Sequence, residues 1–434
     1  MLEKALKQLY VIIYIIVMSF SKTSEVLMKY FLNDFDKFSK KITSTDQNSM
    51  DRIFKQIWWD IKIADRLVQR YDNQDMIKTK LIKGKNYPEL MEGKYIPDSA
   101  KEYIRKNMKG CLQAKTNLCS VDVEINYALF KQSEFNNLKL VNDRIKKALC
   151  ILRFLLFYTP TTRKVKEIKI DLFLTGLKKT LPKNQIKTLG QNNVNSALTF
   201  ACIEKGEVLV FREEEWKKVL IHELMHSLCL DFSGISYLLL KDKIKDMLNV
   251  KSDYEISEAY SEYWATILNS CFISYDILDD KGDYEQFGLY SEFCIQFERV
   301  FSLFQLVKIL DYMGLRYKDL VSDRVCSKSL KNVLYKEDTN VLCYYIIKSV
   351  LLYDYDKFLF WCEKYNISSI RFDKNQLNLR RFGKYFEDTY KKQGLTNIIQ
   401  DMEIKYRKIR GEYKNPNKDM INLTTRMTIC QDKV

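Results

Sequence analysis

Along the first 125 residues, apolar positions fall mostly three and four apart, the spacing of one face of an α-helix. Between Asp51 and Tyr71 the stripe runs through Ile53, Ile57, Trp58, Ile61 and Ala64. Residues 1–125 are therefore expected to form a helical N-terminal region. The segment Asn142–Thr159 keeps this spacing and stops at Pro160, which cannot continue a helix. The period then shortens to two. Val165–Thr175 alternates as a strand does, and the runs SALTFACI and GEVLVF read as two more, joined through Glu204, Lys205 and Gly206. Beyond Phe211 the helical period returns and persists to about residue 410, with Tyr237–Val250 as one amphipathic helix. From KNPNK onward the chain is polar and reads as loosely ordered. The expected fold is α+β, mostly α. A small β-sheet packs on the helix after Phe211, and a helical subdomain lies across a cleft. The central core is placed at residues 126–280 and a helical C-terminal region at 281–434.

Composition narrows this reading. Of 434 residues 46% are hydrophobic and 29% charged, with only 5 Pro and 13 Gly, a balance that excludes a disordered or linker-rich chain. The net charge of +15, from 71 basic and 56 acidic residues, weakly favours an acidic protein substrate. The lysines are spread throughout, and no arginine-rich arm or Cys/His finger marks a nucleic-acid module. The apolar run Leu9–Met18 is too short to span a bilayer comfortably. It reads as a buried first helix, or alternatively as a signal peptide with Ser19 and Ser21 at the cleavage site. Eleven cysteines form no CxxC pair, and several, such as Cys150 and Cys343, sit in apolar runs. They read as thiols of a reducing compartment rather than a disulfide framework. The expected location is the cytoplasm or a virion, with secretion as the alternative.

The chemistry concentrates at HELMH, His222–His226. Residues four apart on a helix are turned by about 40°, so both imidazoles leave the same face as a pair of metal ligands. Glu223 stands beside them to act on a bound water. Trp216, Leu220, Leu224 and Leu228 form the ladder that buries the opposite side. The chain has only 2 histidines. Placed at random they would fall four apart in roughly one chain of two hundred, and with a Glu in the required position in a few of ten thousand. Coincidence is a poor explanation.

A third ligand must be a carboxylate or thiolate. Cys229 and Phe232 stand where an extended HExxHxxGxxH pattern needs Gly and His. The segment Ser257–Thr266 supplies Glu258 and Glu262 one helical turn apart; Asp231 and Cys229 are nearer in sequence to the histidines. At this point the chain resembles the gluzincins, the thermolysin-like zinc metallopeptidases. Their second motif is a helix bearing a Glu ligand, a small residue, and an acidic residue four positions after the ligand. Glu258, Ala259 and Glu262 match in order and spacing. The resemblance implies Zn²⁺ as cofactor, Glu258 as third ligand, and Glu262 as the acceptor that orients a ligand histidine. Glu262 stands where Asp is usual, and its longer reach would let the two carboxylates exchange roles. The resemblance also places Asn195, Ser196 and Ala197 on an edge strand that binds substrate main chain. It spans residues 165–270. The order of strands and motifs is similar, too, to uncharacterised metallopeptidase-like proteins of large DNA viruses.

The function so implied is hydrolysis of a protein or peptide substrate, with Glu223 as general base for a metal-activated water. Tyr260, Tyr263 or an arginine from the C-terminal helices is the candidate stabiliser of the oxyanion. Two other classes stay open: a non-catalytic structural or virion protein that keeps the fold, and a hydrolase of a non-protein substrate.

Overall fold

A computed structural model describes residues 19–433 apart from 42–43, 85–86, 161–164 and 413. The apolar run Leu9–Met18 lies outside the described residues. The fold is α+β and mostly helical, built on one six-stranded mixed sheet in the order β1-β2-β3-β4-β6-β5. Strands β1 (Lys78–Lys83), β2 (Gly110–Leu118) and β3 (Val121–Leu129) form an antiparallel meander. β3 runs parallel to β4 (Glu167–Thr175), and β4 parallel to β6 (Lys205–Arg212). The short β5 (Ala197–Thr199) closes the edge antiparallel to β6.

Three of the six strands therefore precede residue 130, where a purely helical region is expected from the sequence, and β3 crosses the expected boundary at 125. The reason lies in one turn. Cys119 and Ser120, which link β2 to β3, both adopt positive φ, 55° and 65°. A turn of that kind usually advertises itself with Asn-Gly or Asp-Gly; here the residues conceal it.

The helices that concern the site are α1 (Lys22–Leu32), α2 (Ser44–Asn73), α3 (Leu138–Leu156), α4 (Trp216–Ser227), α5 (Leu238–Leu248), α6 (Ser257–Asp276), α7 (Tyr284–Tyr312) and α8 (Lys348–Tyr353). α3 is the crossover that two parallel neighbours, β3 and β4, require. Both faces of the central strands are covered. Val208 and Val210 of β6 join the main core, while Leu209 and Phe211 join a smaller one with Leu90, Ile104 and Phe173. That double burial is why GEVLVF reads as an apolar run. α6 is buried along nearly its whole length and packs against α4 and α7, so it is the axis of the molecule.

The polar C-terminal stretch is not loose. Thr425, Arg426, Thr428 and Ile429 have no exposed surface. Buried carboxylates replace water there: Glu215 accepts the N–H groups of Met427 and Thr428 at 2.5 and 2.6 Å, and Glu298 those of Ile429 and Cys430 at 3.1 and 2.9 Å. Polar composition misleads when the partners are themselves polar and internal. Among the described residues no helix is long and apolar enough to cross a membrane.

Candidate metal centre

β6 feeds α4 through three acidic residues, Glu213–Glu215, which suit the positive end of a helix. Glu215, in the left-handed region at φ 64°, is fully buried and paired with Lys179. α4 ends in a Schellman turn. The N–H of Leu230 meets the carbonyl of Met225 at 2.9 Å, and that of Cys229 meets the carbonyl of His226 at 3.0 Å. Both ends of the HELMH segment are therefore pinned.

The two imidazoles and Glu258 of α6 converge. His222 Nε2 lies 2.9 Å and His226 Nε2 3.3 Å from Glu258 Oε2, and the two Nε2 atoms are 3.2 Å apart. Together these residues could hold a metal ion. Ligand atoms about 2.0–2.1 Å from a tetrahedral ion stand about 3.3 Å from one another. The observed triangle fits.

Each histidine is fixed from behind by a buried carboxylate. His226 Nδ1 lies 2.5 Å from Asp231 Oδ2, and Asp231 is held in turn by the hydroxyls of Ser233 and Ser261 at 2.5 and 3.1 Å. His222 Nδ1 lies 3.1 Å from Glu262 Oε2, an ion-pair contact rather than an aligned hydrogen bond. Such partners leave Nε2 free to ligate. Burial alone would lower the basicity of both imidazoles, but the carboxylates around them outweigh it and hold both above the usual histidine range. Glu262 also receives two buried ammonium groups, from Lys218 and, at 3.7 Å, from Lys348. Desolvation would raise its carboxyl, yet Lys218, His222 and Lys348 together bring it down to about 2.

A cleft of about 240 Å³ opens onto this centre, lined among others by Asn195, Ala197, Glu223, Tyr237, Thr339 and Tyr344. Glu223 faces it, and burial raises its carboxyl above the ordinary range. Ser196 gives its carbonyl to Phe211 at 2.9 Å, so the alternation of an antiparallel ladder turns the backbone groups of Ala197 and Thr199 outward. Ser196 itself is buried and does not line the cleft. Asn195 is engaged, its side chain accepting the Thr339 hydroxyl at 2.9 Å.

The structure does not bring Tyr260 or Tyr263 to the cleft. Both are fully buried, their hydroxyls donating to the carbonyls of Ile370 at 2.8 Å and Tyr355 at 3.1 Å. On α6 they are turned about 200° and 140° from Glu258, so the helical phase already points them away. Among the described residues no arginine lines the cleft either. Among the hydroxyls that line it, that of Tyr344 donates to Glu258 Oε2 at 3.0 Å. Tyr344 lies on a π-helical turn, Leu342–Ile347, continuous with α8, a geometry that recurs at functional sites. Nothing in the local sequence marks it.

One further expectation changes. Cys202 and Cys229 are joined as a disulfide, while the other cysteines are thiols; 27 residues separate the pair, and no short motif announces it. Among the described residues the cleft is lined by Glu223, Glu255 and Glu258, with no lysine or arginine. Comparison with known protein families, characterised proteins and solved structures gives no match.

Proposed function

We propose that the chain is a zinc metallopeptidase of the gluzincin type. The observation that carries this is the triangle of two imidazole nitrogens and one carboxylate oxygen at 2.9–3.3 Å, with Glu223 beside it in the same cleft. Two nitrogens, one oxygen and an open fourth position are the donor set of catalytic zinc. When bound there, zinc would act as a Lewis acid on water and on the scissile carbonyl.

The remaining work falls to the chain's own side chains. Glu223 takes a proton from the attacking water and returns it to the leaving amine; its raised carboxyl suits both steps. The Tyr344 hydroxyl, already at the ligand carboxylate, is placed to donate to the carbonyl oxygen as charge builds on it. The outward backbone groups of Ala197 and Thr199 pair with an extended peptide, which favours a polypeptide over a non-protein substrate.

The test is direct. Wild-type protein should take up one zinc per chain and cleave members of a diverse peptide library. Glu223→Gln should keep the zinc and cleave nothing. No zinc uptake on titration would overturn the reading. Uptake without any cleavage by the wild type would instead make the chain a non-catalytic relative.

A further inference from the structure

The metal centre leaves Cys202 and Cys229 without a role, although both touch it. Cys202 lies in the turn between β5 and β6, and Cys229 follows the last turn of α4; their Cα atoms are 4.9 Å apart. Both backbone N–H groups donate to the carbonyl of the ligand His226, at 3.1 and 3.0 Å. Both residues sit at φ 62°, a region that non-glycine residues rarely adopt. For Cys229 this is the Schellman position where glycine is usual. Two strained positions meeting on one metal ligand ask for a reason beyond packing. The Lys374 ammonium lies 3.2 Å from Sγ of Cys229 and 3.6 Å from Sγ of Cys202, and 3.3 Å from the carbonyl of Ser233. Ala201 and Ser233, next to this cluster, line the cleft.

We propose that Cys202 and Cys229 are a reversible redox site: a disulfide, opened by dithiol reductants, that clasps the substrate-binding edge to the metal helix. Cys202 is half-buried among exposed neighbours, whereas Cys229 is buried, so attack falls on Cys202. The reductant's thiolate bonds to Sγ of Cys202, the S–S bond breaks, and Cys229 leaves as a thiolate beside Lys374, which stabilises it. The second thiol of the reductant then displaces Cys202. The protein gains two electrons and two protons, and the reductant closes into its own disulfide. In the open state the β5–β6 turn loses its covalent tie to α4 and keeps only its hydrogen bonds and packing. The edge carrying Ala197 and Thr199 then aligns a peptide less well. The effect on hydrolysis rests on the metallopeptidase reading; the redox chemistry does not.

The experiment treats the full, zinc-loaded chain with dithiothreitol, alkylates it, and maps the labelled cysteines by mass spectrometry. Cys202 and Cys229 should become labelled together, before buried Cys271 and Cys343, while circular dichroism and zinc content hold. Zinc release to a chelator should quicken severalfold, and KM for a peptide should rise more than kcat falls. Cys229→Gly, which removes the bridge and suits the left-handed turn, should fold, release zinc like the reduced protein, and ignore the reductant. Lys374→Met should slow the opening by about tenfold. The proposal is overturned if both cysteines label without reductant in protein treated with oxidised dithiothreitol, or if the bridge opens only on unfolding. It is equally overturned if zinc release is the same in both states. Because labelling and zinc release need no cleavage, an inactive wild type would count against the function above and not against this site.

Discussion

Removal of Glu262 should cost folding more than it costs metal binding. Its carboxylate is 1% exposed and meets Lys218, Lys348 and the back of His222. Lys218 and Lys348 are equally buried, and Lys348 has one other partner, the Met427 carbonyl at 2.7 Å. Removing one member of a buried ion pair costs about 3–5 kcal/mol, because a charge is left without compensation. Glu262→Ala strands two ammonium groups at once, so the upper end of that range applies. Its effect on the metal acts only through the orientation of His222, about ten- to a hundredfold in affinity, or about 1.4–2.7 kcal/mol. The folding loss should exceed the metal loss. Glu262→Asp, though it restores the commoner gluzincin residue, shortens the reach to all three partners and should also destabilise. Glu262→Met combined with Lys218→Met should recover much of the loss, since a well-packed apolar pair replaces a buried ionic one at little cost. Glu258→Ala should show the opposite profile, with zinc affinity reduced by orders of magnitude and metal-free stability much less affected. Urea unfolding of metal-free protein and zinc competition with a calibrated chelator measure the two quantities. A Glu262→Ala protein with wild-type unfolding, or with a greater loss of zinc affinity than Glu258→Ala, refutes the reasoning.

Tyr344→Phe should retain zinc and lower kcat by about 10²–10³ if its hydroxyl meets the developing oxyanion; a change confined to KM would remove that role. Asp231→Asn should weaken zinc binding about ten- to a hundredfold by loosening His226, measured by the same chelator competition. Glu337, which accepts the Leu342 N–H at 2.7 Å at the start of the π-helical turn, is pushed by burial up to about 8. Because its folded pKa is raised, its stabilising contribution is complete below about pH 4.5, the unfolded value, and is lost as pH rises to about 8. Melting curves of Glu337→Gln should therefore fall less steeply than wild type across that window, and an unchanged slope would contradict the burial argument.

What could be read from the sequence was what local geometry dictates. The HELMH spacing is a property of one helix, and Glu258 follows from a second spacing on another; neither needs tertiary knowledge. Asp231 was legible only as a nearby carboxylate, because its aim at His226 depends on the chain doubling back after the Schellman turn. Tyr344 arrives 86 residues after Glu258 on a turn with no local signature. Tyr260 and Tyr263 stand close to Glu258 in sequence, but helical phase turns them away from it and into the core. The mixed sheet was half concealed for the reason found at Cys119 and Ser120. The strands β4 and β6, buried on both faces, were plain.

The buried segment Thr424–Cys430 bears on how the centre comes to exist at all. It lies behind the metal helix, where Lys348 holds the Met427 carbonyl and Lys218 approaches the Met427 sulfur at 3.7 Å. Those same lysines brace Glu262, which braces His222. The candidate ligand His222 is thus braced through contacts that reach Met427, more than two hundred positions away along the chain. Contacts of such separation form late, since the intervening loop must first be closed at an entropic cost. The helix bearing HELMH can form early, but its imidazoles gain their final aim only once this distant strand of chain has been drawn inside. Competence to hold metal is then a property of the whole fold rather than of the HELMH helix alone.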